Sequence, residues 1–170
     1  MRRTRQSEAK SSATAVGPEK SATLALRQFR QIFNAVRTHF QQVEKKVGLG
    51  GAQVWALSVV RDAPDIGVGH LAQALNIHQS TASNLVKALV SRQLVAATKS
   101  ESDRRTVGLR LLPAGRRVLK RSPEPFAGVL PEALNALDPK TLNRLNRDLA
   151  KLLEALHADE RGADIPLADL

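Results

Sequence analysis

The chain has no cysteine and no tyrosine, and Phe and Trp together make up only 3% of its 170 residues. Without cysteine there are no disulfides, no thiolate zinc sites and no peroxide-sensing thiol, a usage that fits a reducing cytoplasm. So few aromatics argue against a stacking surface for single-stranded nucleic acid. No apolar run approaches the ~20 residues a bilayer-spanning helix needs, so no membrane is expected as a partner. The basic opening MRRTRQSEAK leads into SSATAVGPEK, which has no apolar centre and does not read as a secretory signal. The four histidines, His39, His70, His78 and His157, show no tight ligand spacing, and no metal is expected. There is no phosphate-cradling glycine loop, nucleophile–base set or paired carboxylates, so neither a cofactor nor enzymatic activity is expected. Acidic side chains are scarce as well. They number 16 against 26 Lys and Arg, a formal charge of +10 that favours partners carrying phosphate.

The charge is unevenly placed. Between residues 87 and 110, Lys87, Arg92, Lys99, Arg104, Arg105 and Arg110 face only Glu101 and Asp103, whereas residues 138–170 carry more acids than bases. Residues 1–20 hold Arg2, Arg3, Arg5, Lys10 and Lys20 with little to bury, and read as a disordered basic arm. Over residues 21–50 the pattern becomes helical. Phe29, Phe33, Val36, Phe40, Val43 and Val47 recur at alternating spacings of four and three, one apolar stripe that Gly48 to Gly51 ends. A second helix is expected from about Ala52 to Arg61, closed by Ala63-Pro64-Asp65. Residues 114–158 make the C-terminal helices. Pro123, Pro125 and Pro131 kink or break the first part. Asp138-Pro139 opens the last helix, with Leu142, Leu145, Leu149, Leu152 and Leu156 as its stripe. Residues 159–170 read as a flexible tail. The two amphipathic end helices are expected to pack together and form a dimer interface, an intramolecular core being the alternative.

Residues 51–113 hold the most informative stretch. HLAQALNIHQSTASNLVKALVSRQLVAATKSESDRRTVGLRL, residues 70–111, reads as helix, tight turn, second helix and hairpin. That order is a winged helix-turn-helix, so the fold class is mainly α with a small β-wing, flanked by N- and C-terminal dimerisation helices. At about 100° per residue, Ala82, Leu85, Val86, Leu89 and Val90 of the second helix fall in one arc that faces the core. Ser80, Asn84, Lys87 and Ser91 fall opposite, with Thr81 and Ser83 on the shoulders. A face that is small, hydrogen-bonding and free of carboxylate suits a major groove, where Asn pairs bidentately with adenine. Leu71, Ala72 and Leu75 point inward from the first helix, Asn76 takes the turn position that tolerates positive φ, and Ile77 anchors the turn. The exposed amides at Gln79 and Ser80 suit a phosphate. In the hairpin, Val107, Leu109 and Leu111 alternate as in a half-buried strand. Its tip SESDRR projects Arg104 and Arg105, suited to a narrow minor groove, with Asp103 orienting an arginine.

These residues resemble the MarR family of bacterial transcription regulators over roughly residues 24–157, most specifically in LAQALNIHQSTASNLVKALVSRQLV and the following S-x-x-D-R-R-T-V-x-L-x-L. The resemblance implies a homodimer, most often a repressor, binding a pseudo-palindromic operator in double-stranded DNA. Arg105 would enter the minor groove, with Ser80, Thr81, Ser83, Asn84 and Lys87 at the major groove or its phosphates. It also implies a small phenolic or aromatic effector, for which Arg30, Arg37, His39 and Trp55 are the candidate lining. Three departures stand out. Gln93 replaces the usual Gly after the recognition helix, Leu112-Pro113-Ala114-Gly115 replaces Leu-Thr-x-x-Gly, and the prolines after Arg121 interrupt the family's long straight helix. The alternative reading is a winged-helix interaction module, or a nonspecific DNA binder without operator readout.

Overall fold

The computed structural model describes residues 18–99, 107–159, 162–163 and 165–169. Most of the expected basic arm and the hairpin tip with Asp103, Arg104 and Arg105 lie outside the described residues. Helix α1 runs from Pro18 to Val47, starting before the expected boundary because Pro18 suits a first turn and Glu19 offsets the helix dipole there. Gly48, at φ +67°, ends it, its N–H donating to the Glu44 carbonyl at 2.8 Å. Helix α2, Gly51–Asp62, buries Val54, Ala56, Leu57 and Val60. A two-residue strand β1, Ile66–Gly67, leads into α3, Val68–Leu75. Asn76 takes the left-handed conformation as its position demands (φ 51°), and buried Ile77 donates its N–H to the Ala72 carbonyl at 3.0 Å.

Helix α4 spans Gln79–Ser91. Ala82, Val86 and Leu89 are buried as expected, but Val90, at the edge of the inward arc, is 38% exposed. The chain leaves α4 through Gln93 at φ +55°, while Leu94 N–H reaches back to the Leu89 carbonyl at 3.0 Å. A Cβ costs about 1–2 kcal/mol in that conformation, partly offset by glycine's larger loss of backbone entropy. Gln93→Gly is therefore expected to stabilise the fold by roughly 0.5–1 kcal/mol. A raised midpoint in thermal unfolding checks this, and a lowered one would show that the Gln93 side chain makes a compensating contact.

Strands β2, Val95–Lys99, and β3, Val107–Leu111, pair antiparallel with Val95 opposite Leu111 and Lys99 opposite Val107. β1 adds to the other edge of β3, giving the order β1-β3-β2. Leu109 and Leu111 are buried, but Val107, paired at the end of the hairpin beyond the core, is 43% exposed, so the expected alternation holds for only part of the strand. The core lies between α2, α3, α4 and this sheet, with Leu57, Leu71, Leu89 and Leu109 fully buried and Leu119 closing it from below. The architecture is a winged helix.

Helix α5, Pro113–Arg121, begins on Pro113, which suits a first helical position. Gly115 sits so close to the sheet that a Cβ there would press on the Leu94 carbonyl and the Leu111 side chain. The chain then breaks through Pro123 and Pro125. It forms α6, Val129–Asn135, whose first turn admits Pro131 because that amide has no helical acceptor, and α7, Pro139–Ala155. Asp138 caps α7, accepting from the Thr141 N–H at 3.0 Å, and the Thr141 hydroxyl together with this backbone bond holds its carboxyl below the usual carboxylate range. A depressed folded value means the cap's contribution is present above about pH 3.8 and is lost as pH falls through the folded value. Asp138→Ala is therefore expected to lower α7 helicity at neutral pH, with the gap from the parent closing in acid; circular dichroism against pH reads this, and a pH-independent gap would remove the carboxylate from the cap.

Within one chain the end helices do not form the intramolecular core that was the alternative: α1 packs against α2, α5, α6 and the C-terminal turn, and α7 has no buried residue. The reason is the break between Arg121 and Val129, which brings α6 rather than α7 onto α1. Nor is the whole tail free. Pro166 is buried, and a 3-10 turn at Leu167–Asp169 packs on α1 and α2.

Candidate nucleic-acid interface

Helix α4 is amphipathic, so burying Ala82, Val86 and Leu89 dictates what it shows to solvent. Gln79, Ser80, Asn84, Lys87 and Ser91 are exposed, and Thr81 and Ser83 are half-buried on the shoulders. Ser83 and Ser91 donate their hydroxyls to the carbonyls of Gln79 (2.8 Å) and Ala88 (2.9 Å), which leaves their oxygens as acceptors only. Ser80, Asn84 and Lys87 make no side-chain hydrogen bond or ion pair among the described residues. Between α3 and the start of α4, Gly69, Gln73, Asn76, His78 and Gln79 line an open hollow of about 350 Å³.

Charge sets this surface apart. From Ile66 to Ser100 the sequence contains no Asp or Glu. The two acids that precede the stretch are themselves engaged. Asp62 pairs with Arg61 at 2.7 Å, and Asp65 receives Arg110 through two bonds, Nε to Oδ1 at 2.6 Å and Nη2 to Oδ2 at 2.9 Å. Both carboxyls lie below the ordinary range because the guanidinium beside each favours its ionised form. The Asp65–Arg110 pair joins the approach to β1 with β3, and was not legible in the sequence, where the two lie far apart. It also changes the charge expected of this segment, since Arg110 is offset by a carboxylate. Lys87 and Arg92 are the exposed cations of α4 and its C-cap.

The four residues expected around an effector are dispersed. Arg37 borders a cleft of about 450 Å³ with Phe33, Val36, Phe40, Gly51 and Leu167. Trp55 lines a neighbouring void of about 50 Å³ with Phe126 and Pro131. His39 is buried instead of at the surface and borders neither; its Nε2–H donates to the Pro125 carbonyl at 3.1 Å and ties α1 to the loop before α6. Arg30 is exposed and borders neither. Among the described residues no three His, Asp or Glu side chains gather as a metal site, and no helix is long and apolar enough to cross a membrane.

Residues 47–106 match the sequence model of the MarR family. The fold is similar to the multiple antibiotic-resistance repressor MarR from Listeria monocytogenes 4b F2365, with TM-score 0.51 and 23% identity, covering 86% of this chain and 99% of that one. It is similar to the transcriptional regulator BldR from Sulfolobus solfataricus at TM-score 0.52 and 21% identity, covering 80% of this chain and 99% of that one. S. aureus MepR, solved as a complex with DNA, gives 0.52 at 18% identity, covering 79% of this chain and 97% of that one. At such identities these likenesses establish the fold. No curated protein sequence matches the chain.

Proposed function

We propose that this chain, which carries the winged helix of the MarR family of transcription regulators over residues 47–106, is a homodimeric repressor that reads a pseudo-palindromic operator in duplex DNA. The carrying observation is the exposed face of α4, with Ser80, Asn84 and Lys87 free to bond outward at the centre of a stretch without carboxylates from Ile66 to Ser100. An anionic duplex meets no fixed negative charge there, while the amide and hydroxyls match base edges. MepR, which shares the fold, has been solved with DNA bound. In this reading Gln79, Ser80, Thr81, Ser83, Asn84 and Lys87 serve the major groove and its phosphates. Arg104 and Arg105, oriented by Asp103, serve the minor groove.

The dimer accounts for apolar surface that the single chain leaves open. Leu24, Leu26, Ile32 and Phe33 on α1, and Leu152, Leu153 and Leu156 on α7 and its cap, are all at least 39% exposed. Two-fold association covers them and sets two copies of α4 one helical turn apart, about 34–36 Å. A small-molecule effector finds its candidate place in the cleft bordered by Arg37 and its neighbour at Trp55.

Selection of bound duplexes from a random pool tests the whole reading. The expected result is a two-fold motif with half-sites about 10 bp apart. Salt-dependent binding without enrichment would instead favour a nonspecific binder. In the same assay Arg105→Ala is expected to weaken operator binding strongly without unfolding the protein, and unchanged affinity would remove the wing from the mechanism.

A further inference from the structure

The C-terminal residues Pro166 to Ala168 divide one apolar cleft in two. On one side Leu167 and Ala168 border the 450 Å³ cleft beside Phe33, Val36 and Phe40. On the other side the same residues, with Pro166, almost fill the space beneath Trp55, Phe126 and Pro131, leaving about 50 Å³. Gly51 makes the floor. A Cβ there would collide with the Phe40 ring and come within 2.9 Å of the Ala168 methyl, so the glycine lets the C-terminal segment lie flat. Among the described residues, no backbone hydrogen bond ties Pro166–Ala168 to α1 or α2. The segment is held by apolar contact, which another apolar group can replace.

We propose that Pro166–Ala168 is a strap occupying, within its own chain, an apolar binding cleft between α1, α2 and α6, and that a small apolar or aromatic molecule enters only when the strap leaves. With the strap out the two spaces merge into a cavity within the usual range for small-molecule sites, about 300–1,000 Å³. Arg37 and Glu44 at its edge supply polar handles. The strap lowers the apparent affinity of any such molecule by the fraction of time the cleft stands open. It acts as a threshold, so that the cleft answers to concentrations well above its intrinsic dissociation constant. The strap shares the effector's candidate cleft, but its test uses no DNA, so its failure and the failure of the operator reading are separate results.

Trp55 is the sole tryptophan and there is no tyrosine, so intrinsic fluorescence reports on the cleft alone. The probe is 1-anilinonaphthalene-8-sulfonate, titrated against the parent chain and against Ala168→Asp, whose carboxylate cannot stay packed on Gly51 and Phe40. The expected result is binding roughly tenfold or more tighter in the variant, with red-shifted Trp55 emission before probe is added. A peptide of residues 163–170 should displace the probe and return the emission. Equal probe affinity in the two proteins, or a peptide that fails to compete, overturns the proposal. If circular dichroism shows that Ala168→Asp has lost its helices, a chain ending at Ala163 answers the same question by the same readouts.

Discussion

Asn84→Asp is expected to lower affinity for the selected duplex by about 10- to 100-fold while leaving the thermal midpoint unchanged. Asn84 is exposed and its side chain makes no hydrogen bond among the described residues, so the fold loses nothing by the change. The interface loses two things. A bidentate amide–base pair is worth about 1–3 kcal/mol of discrimination, and the new carboxylate stands alone in a stretch that otherwise has none. The substitution is isosteric, so packing does not confuse the result. Titration of labelled duplex at one fixed salt concentration measures it, since phosphate contacts make any affinity salt-dependent. Parent-like affinity would mean that this face of α4 is not the reading surface.

Leu89→Ala, on the opposite face of the same helix, should do the reverse. Leu89 is fully buried among the side chains of the winged-helix core, and removing three carbons from such a site typically costs about 2–5 kcal/mol through lost transfer energy and the cavity left behind. For a chain of this size that is a fall of roughly 5–15 °C in the thermal midpoint. At temperatures where the variant remains folded, its intrinsic DNA affinity should stay within a few-fold of the parent's. A midpoint within a degree of the parent's would show that the core refills the space. Together the two substitutions separate the jobs of one helix.

The winged helix was readable because its decisive signals are local. Asn76 announces its turn by standing where positive φ is required, and adopts it; at Gln93 the positive φ was signalled only by the glycine usual there in the family that the chain resembles. The arc of Ala82, Val86 and Leu89 follows from helical geometry alone. The errors arise where local geometry meets a boundary it cannot see. Val90 and Val107 have the right phase but sit at the edge of the core, which only the packed neighbours define. Strand β1 is two residues long, too short to show a period, and the Asp65–Arg110 pair joins segments far apart in sequence. That α6 rather than α7 lies on α1 within the chain was not legible, because the prolines fix where helices break but not which piece folds back. The strap was missed because ADIPLADL has no helical or strand period. Of the proposed DNA-facing set, composition and angle identified which α4 residues would be exposed. The effector set rested on the family resemblance and on residue type, and the structure brings only Arg37 and Trp55 to neighbouring cavities.

Helix α7 has 17 residues and buries none of them in its own chain. A helix of that length is only marginally stable in water on its own propensity, so its order is borrowed from whatever covers its leucine face. The molecule therefore divides into two regimes of cooperativity. One is a core-bearing unit that melts at a temperature indifferent to dilution. The other is an outlying helix whose melting, in the proposed dimer, depends on how many neighbours are in solution. A single midpoint describes the first and misstates the second.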